Sequence, residues 1–127
     1  MQEPGWIILG RAIHELDGTV RIPVRVSRVF NMKSFGMEFR FSDQNLHFSG
    51  VEPSDISKDF MALEGHEVED GVVRIGGYGM NQVQKKSPGV LFNLVFFSSG
   101  GKGEVELINL YDDLQDFEFR KRNTRIE

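Results

Sequence analysis

Apolar residues recur along this chain at every second position, in short separate runs. Val20, Ile22, Val24 and Val26 alternate with Arg21, Pro23 and Arg25. Phe35, Met37, Phe39 and Phe41 alternate with Ser34, Gly36, Glu38 and Arg40, and Val105 and Leu107 alternate with Glu104 and Glu106. Period two is the spacing of a β-strand with one face in a core and the other in water. Residues 89–97 are almost continuously apolar and read as a central strand, with Leu94 and Phe96 inward and Asn93, Val95 and Phe97 outward. Further strands are predicted from Trp6 through Ile13, at 46–50, at 72–78 and around Phe117 and Phe119.

Turn chemistry separates these runs. Asp17-Gly18 is a tight-turn dipeptide, and Ser42-Asp43-Gln44-Asn45 is a turn cluster. Residues 84–88 read as a polar connection and 98–103 as a hairpin loop. Residues 53–57 can cap one short helical turn, and 64–71 form an acidic, turn-rich stretch. Pro23 cannot donate to a strand ladder, so its strand lies at an edge or is interrupted there. Gly76-Gly77 predicts a bulge or a close approach of another backbone.

About nine short strands at roughly ten-residue spacing, with no long helical pattern, predict an all-β sandwich. There is no internal repeat or linker, so residues 1–127 are read as a single domain. The predicted core is Val20, Ile22, Val24, Met37, Phe39, Phe41, Leu91, Leu94, Phe96 and Leu107. The aromatic set is eleven Phe against two Tyr and one Trp. Phe has no polar handle, so most of these rings belong inside.

Charge and chemistry narrow the function. A net charge of −4 argues against a nucleic-acid surface, and the basic run Arg120-Lys121-Arg122 with Arg125 reads as a solvated strand end. There is no cysteine, hence no disulfide, thiolate metal site or cysteine nucleophile. His14, His47 and His66 share no metal-ligand spacing, and the acidic stretch after His66 lacks the glycine-punctuated pattern of a calcium loop. Neither a nucleophile elbow nor a phosphate loop is present, so no enzyme and no cofactor are expected. No segment is apolar enough to span a membrane, and no leader is visible. A sugar-binding platform would require Trp6, Tyr78 and Tyr111 on one exposed face.

The order of these segments resembles the cohesin domain family. Residues 17–24, Asp17-Gly18-Thr19-Val20-Arg21-Ile22-Pro23-Val24, look like the Gly-x-x-Val-x-Val-Pro-Val strand near the start of cohesins. The run from Phe35 to Phe41 followed by Ser42-Asp43-Gln44-Asn45-Leu46 is similar to an aromatic-rich strand leading into Tyr-Asp-Pro-x-x-Leu, although Ser42-Asp43 replaces the usual Asp-Pro. The strands at 71–75, 89–96 and 104–107 resemble the later cohesin strands in the same order.

The resemblance implies a jelly-roll sandwich of about nine strands and no metal or cofactor of its own. It also implies docking of a dockerin, a paired-helix module that carries its own calcium, and an extracellular or cell-surface location with the leader absent from the sequence given. The implied binding sheet contains the strands at 35–41, 72–78 and 90–97 and the final strand. Alternation then nominates Ser34, Glu38, Arg40, Val72, Arg74, Tyr78, Asn93, Val95 and Phe97 as one partner-binding face, apolar in the middle with a charged rim. A carbohydrate-binding module and a structural domain that homodimerises through the same sheet are the rival readings.

Overall fold

The computed structural model describes residues 5–42, 44–59 and 62–126, the side chains of Asp59 and Asn81 apart. Among these residues are β1 (Trp6–Leu9), β2 (Ile13–His14), β3 (Thr19–Val26), β4 (Val29–Phe41), β5 (Leu46–Pro53), β6 (Ala62–Glu69), β7 (Val72–Lys85), β8 (Gly89–Ser98), β9 (Gly103–Asp112), β10 (Glu118–Lys121) and β11 (Asn123–Ile126). A short 3-10 turn, Ser57–Asp59, is the helical turn expected there. The Ser54 amide donates to the Ser57 hydroxyl at 3.1 Å and the Lys58 amide to the Ser54 carbonyl at 2.9 Å.

The strands form two sheets. The first has the order β10-β1-β3-β8-β5, with β2 on β3, and the second the order β11-β9-β4-β7-β6. Their inner faces meet through phenylalanine. Phe92 of β8 stacks on Phe35 of β4 with centroids 5.7 Å apart and meets Phe39 edge-on at 6.4 Å, while Phe96 packs on Phe41 at 5.1 Å. All ten residues of the predicted core are buried. The sandwich class and the inward registers of β3, β4, β8 and the start of β9 are therefore as the alternation predicts.

Four local expectations change. Residues 64–69, read as an acidic turn, are the edge strand β6, paired to β7 with Glu64 opposite Gly76 and His66 opposite Arg74. Its charges are those of an edge that must not pair further. β7 runs on to Lys85 rather than ending near Tyr78, so Gln84 belongs to the strand. The segment 98–103 is not a hairpin loop: it carries the chain from β8 in the first sheet to β9 in the second. Finally, the short strands β2, β10 and β11 take the number beyond nine.

Pro23 is explained by an interruption. Its strand is internal, but the pairing on one side passes from β1, ending at Leu9↔Val24, to β2, starting at Ile13↔Arg21. The Gly10 amide donates to the Pro23 carbonyl at 2.8 Å on that side. In a strand the N–H and C=O of one residue point the same way, so the missing donor faces this break. The Asp17-Gly18 turn joins β2 to β3; Gly18 has φ +92°, and the Thr19 amide donates to Asp17 Oδ1 at 2.9 Å. That bond is the main reason the Asp17 carboxyl lies below its ordinary pKa.

Candidate functional site

The nine nominated residues do not share a face. Ser34, Glu38, Arg40, Val72, Arg74 and Tyr78 lie on the second sheet, but β8 belongs to the first, so Asn93, Val95 and Phe97 look out from the opposite side of the molecule. Alternation states whether a residue points inward or outward, not which of two sheets owns its strand. Val72 is a second correction: at 8% exposure it is buried, although it holds an outward register position opposite Arg40 and Glu69.

On the second sheet the register places outward residues in rows across the strands. One row runs Ala62, Tyr78, Ser34; the next Glu64, Gly76, Gly36, Tyr111; the next His66, Arg74, Glu38, Asn109. The centre is polar rather than apolar. Glu38 accepts from Arg74 Nη2 at 3.2 Å and from Asn109 Nδ2 at 2.8 Å, which fixes the carboxylate against the sheet. The Arg74 guanidinium also lies 5.3 Å from the Tyr111 ring centroid. Arg40 and Glu106 are 3.9 Å apart on the flank.

Beside this polar centre is a hollow. Tyr111 leans over Gly36, where an added Cβ would stand 3.1 Å from the tyrosine's own Cβ. Gly76, the next residue across the row, has nothing above it; the nearest atom to an added Cβ is the Phe35 carbonyl at 3.8 Å. The result is an open groove of about 670 Å³ floored by Gly36 and Gly76, with walls from Tyr78, Tyr111, Arg74 and Glu64. Gly77 next door has the opposite job. An added Cβ there would come within 2.5 Å of the Phe35 ring, so Gly77 makes room for a core side chain and Gly76 leaves room outside. The pairing is continuous through both, Phe35↔Gly77 and Gly36↔Gly76, so there is no bulge at this point.

Sequence reasoning missed Tyr111, Asn109, Glu64 and His66 as members of this face. Parity counted from Leu107 would turn Asn109 and Tyr111 inward. A β-bulge between Leu107 and Asn109, where two residue steps on β9 oppose one on β4, turns them out. Glu64 and His66 were hidden by reading β6 as a turn; once it is a strand, they fall beside Gly76 and Arg74.

The outer face of the first sheet is closed by its own charges. Arg21 on β3 reaches across β8 to Glu52 on β5, Nε to Oε1 at 2.8 Å, and also pairs with Glu15. This hydrogen bond holds the Glu52 carboxyl below its ordinary pKa. Val95, opposite Arg21 in the register, is partly covered, while Phe97 is 45% exposed near Gly18. Trp6 is on this sheet, half-buried, with the Arg120 guanidinium 5.5 Å from its ring centroid. The three rings that a sugar platform would need are thus split, with Tyr78 and Tyr111 on one side and Trp6 on the other. Among the described residues no group of three His, Asp or Glu is placed to hold a metal ion, and no helix is long and apolar enough to cross a membrane.

Two sheets in these strand orders define the class: an all-β sandwich. No protein-family model matches the chain, and no curated protein matches it by sequence. Solved structures do. A type I cohesin, the seventh of scaffoldin B from Pseudobacteroides cellulosolvens, superimposes with a TM-score of 0.73 at 16% identity, covering 98% of this chain and 92% of that one. The sixth cohesin of scaffoldin B from Acetivibrio cellulolyticus, solved in complex with a mutant Cel5 dockerin, gives 0.73 at 15% identity and 98% of both chains. A type III cohesin from the cell-surface anchoring scaffoldin ScaE of Ruminococcus flavefaciens gives 0.70 at 11% identity, covering 98% of this chain and 87% of that one. At these identities the likeness establishes the fold.

Proposed function

We propose that this domain is a non-catalytic docking module that seats a dockerin-type partner on the outer face of the second sheet, around Glu38, Arg40, Arg74, Tyr78 and the hollow over Gly76. The observation that carries the reading is the whole-chain likeness to a cohesin solved with its dockerin bound. The choice of face follows from its shape. Glu38 is held in place by Arg74 and Asn109, and beside it lies an open groove walled by two tyrosines. A rigid polar anchor next to a recess is suited to a partner helix that inserts one side chain and hydrogen-bonds at its rim. Asn93, Val95 and Phe97, on the other sheet, take no part. The calcium belongs to the partner, and the working location is outside the cell or at its surface, as for the Ruminococcus relative.

The test is titration calorimetry of the domain against calcium-loaded dockerin modules encoded in the same genome. At least one should bind, and a chelator should abolish binding while leaving the domain's own melting temperature unchanged. Gly76→Leu, which fills the hollow, should weaken binding by about tenfold or more. If no dockerin binds, or if both Gly76→Leu and Glu38→Ala bind like the parent, the reading fails. A concentration-dependent dimer in sedimentation, lost in Gly76→Leu, would instead assign this face to a second copy.

A further inference from the structure

Where the chain leaves β10 for β11 it crosses from the first sheet to the second. This crossing and the segment around β2 enclose an open, polar pocket of about 710 Å³ lined by Arg11, His14, Lys121, Asn123, Thr124 and Arg125. It is separate from the groove on the second sheet, with which it shares no residue.

Three cations, Arg11, Lys121 and Arg125, line this pocket. Of the carboxylates on neighbouring elements, Glu118 is 3.8 Å from Arg120 and Glu15 pairs with Arg21, while Glu104, opposite Arg125 in the register, accepts from Asn123 Nδ2 at 3.2 Å. Among the described residues no carboxylate lies within 4.0 Å of Arg11, Lys121 or Arg125. In a chain of net charge −4, gathering like charges around one recess raises their mutual repulsion, which a bound anion would reverse. The basic run is also sorted by direction. Arg120 and Arg122 lie over the rings of Trp6 and Phe119, at 5.5 and 4.6 Å, while Lys121 between them lines the pocket.

The lining also offers neutral polar groups. Asn123 and Thr124 line the pocket beside the cations. Guanidinium forks match pairs of oxygens on a tetrahedral oxyanion, and an ammonium, a hydroxyl and the Asn123 amide complete a set of donors around it.

We propose that this pocket binds an oxyanion of the phosphate or sulfate class, free or as an ester on a sugar-sized carrier. The experiment is titration calorimetry at low ionic strength with inorganic phosphate, inorganic sulfate, glucose 6-phosphate and glucose. The two ions and the ester should bind and glucose should not. A tighter ester assigns the site to a carried group, and equal affinities assign it to the ion itself. The double variant Lys121→Gln, Arg125→Gln should weaken binding by about tenfold or more. Thr124→Val, which leaves every charge in place, should also weaken it, while Lys86→Gln, outside the pocket, should not. Thermal melts confirm that each variant is folded. The proposal is overturned if no anion binds at about 10 mM, if the double variant binds like the parent, or if only a nucleic-acid duplex binds, with affinity set by salt alone.

Discussion

The two outer faces of this sandwich are built on the same pleat and end in opposite conditions. On the first sheet, Arg21 spans β8 to Glu52 and also takes Glu15, so the charges satisfy one another across the strand that carries Val95. On the second, Glu38 gathers Arg74 and Asn109 into one fixed group, and the next row is left hollow by Gly36 and Gly76. Both faces mix charged with apolar side chains, and composition does not separate them. They differ in relief: one is bridged over, the other is stiffened and then recessed. A surface that holds its charges still and leaves a gap beside them loses less side-chain freedom when a partner arrives.

The comparison rests on the sandwich itself, and the largest effect tests that. Phe39→Ala removes a fully buried ring packed against Phe92 and should cost about 3–5 kcal/mol in chemical denaturation. A loss below about 1 kcal/mol would place the ring outside the core and dissolve the distinction between inner and outer faces. Next comes the pair of glycines. Gly77→Ala drives a Cβ into the Phe35 ring and should cost about 1–3 kcal/mol through overpacking. Gly76→Ala, at an ordinary strand backbone with open space above it, should leave stability unchanged or slightly raised. Equal effects at the two positions would mean that they do not face opposite ways.

Binding then separates the sheets. Val95→Asp should leave affinity for the proposed dockerin partner at the parent value, since the residue lies on the far side from the hollow. A tenfold loss there would move the interface to the first sheet. The smallest effect is electrostatic. Arg21→Gln deletes the partner that holds Glu52 below its ordinary 4.5. A carboxylate with a depressed pKa contributes stability above its unfolded value and loses it as the pH falls through its folded value. The variant should therefore melt slightly lower than the parent at about pH 6, and the difference should shrink as the pH falls below the ordinary carboxylate range. A difference that persists in acid would show that the guanidinium acts through packing rather than charge.

The fold could be read because its rules are local. Period two places Val20, Ile22, Phe39 and Phe96 inside whichever strands they pair with. The site could be read only in part, because it depends on non-local facts. Nothing in residues 89–97 states that β8 pairs with β3 and β5 rather than with β4, yet that choice sends Asn93, Val95 and Phe97 to the other side. The bulge that turns Tyr111 outward is a single extra residue on β9, set by how β4 and β9 meet. The strand character of β6 was masked by its acids, which suit an edge and a turn equally well. Glu38, Arg40, Arg74 and Tyr78 survived because both of their strands kept simple alternation from the core outward.

The pairing of β1 with β10 has a consequence for how the chain reaches this structure. Trp6 and Ile7 lie in parallel register with Glu118 and Phe119, so the earliest strand waits for almost the last one before its outer edge is filled. Closing so long a loop must precede the reward of the contact, and topologies of this kind fold in about milliseconds to seconds rather than microseconds. During synthesis the apolar residues Ile7 and Leu9 would be made long before Phe119 exists to flank them. Refolding should accordingly show β3–β8 and β4–β7 protected from hydrogen exchange before β1, with the β1–β10 ladder closing last.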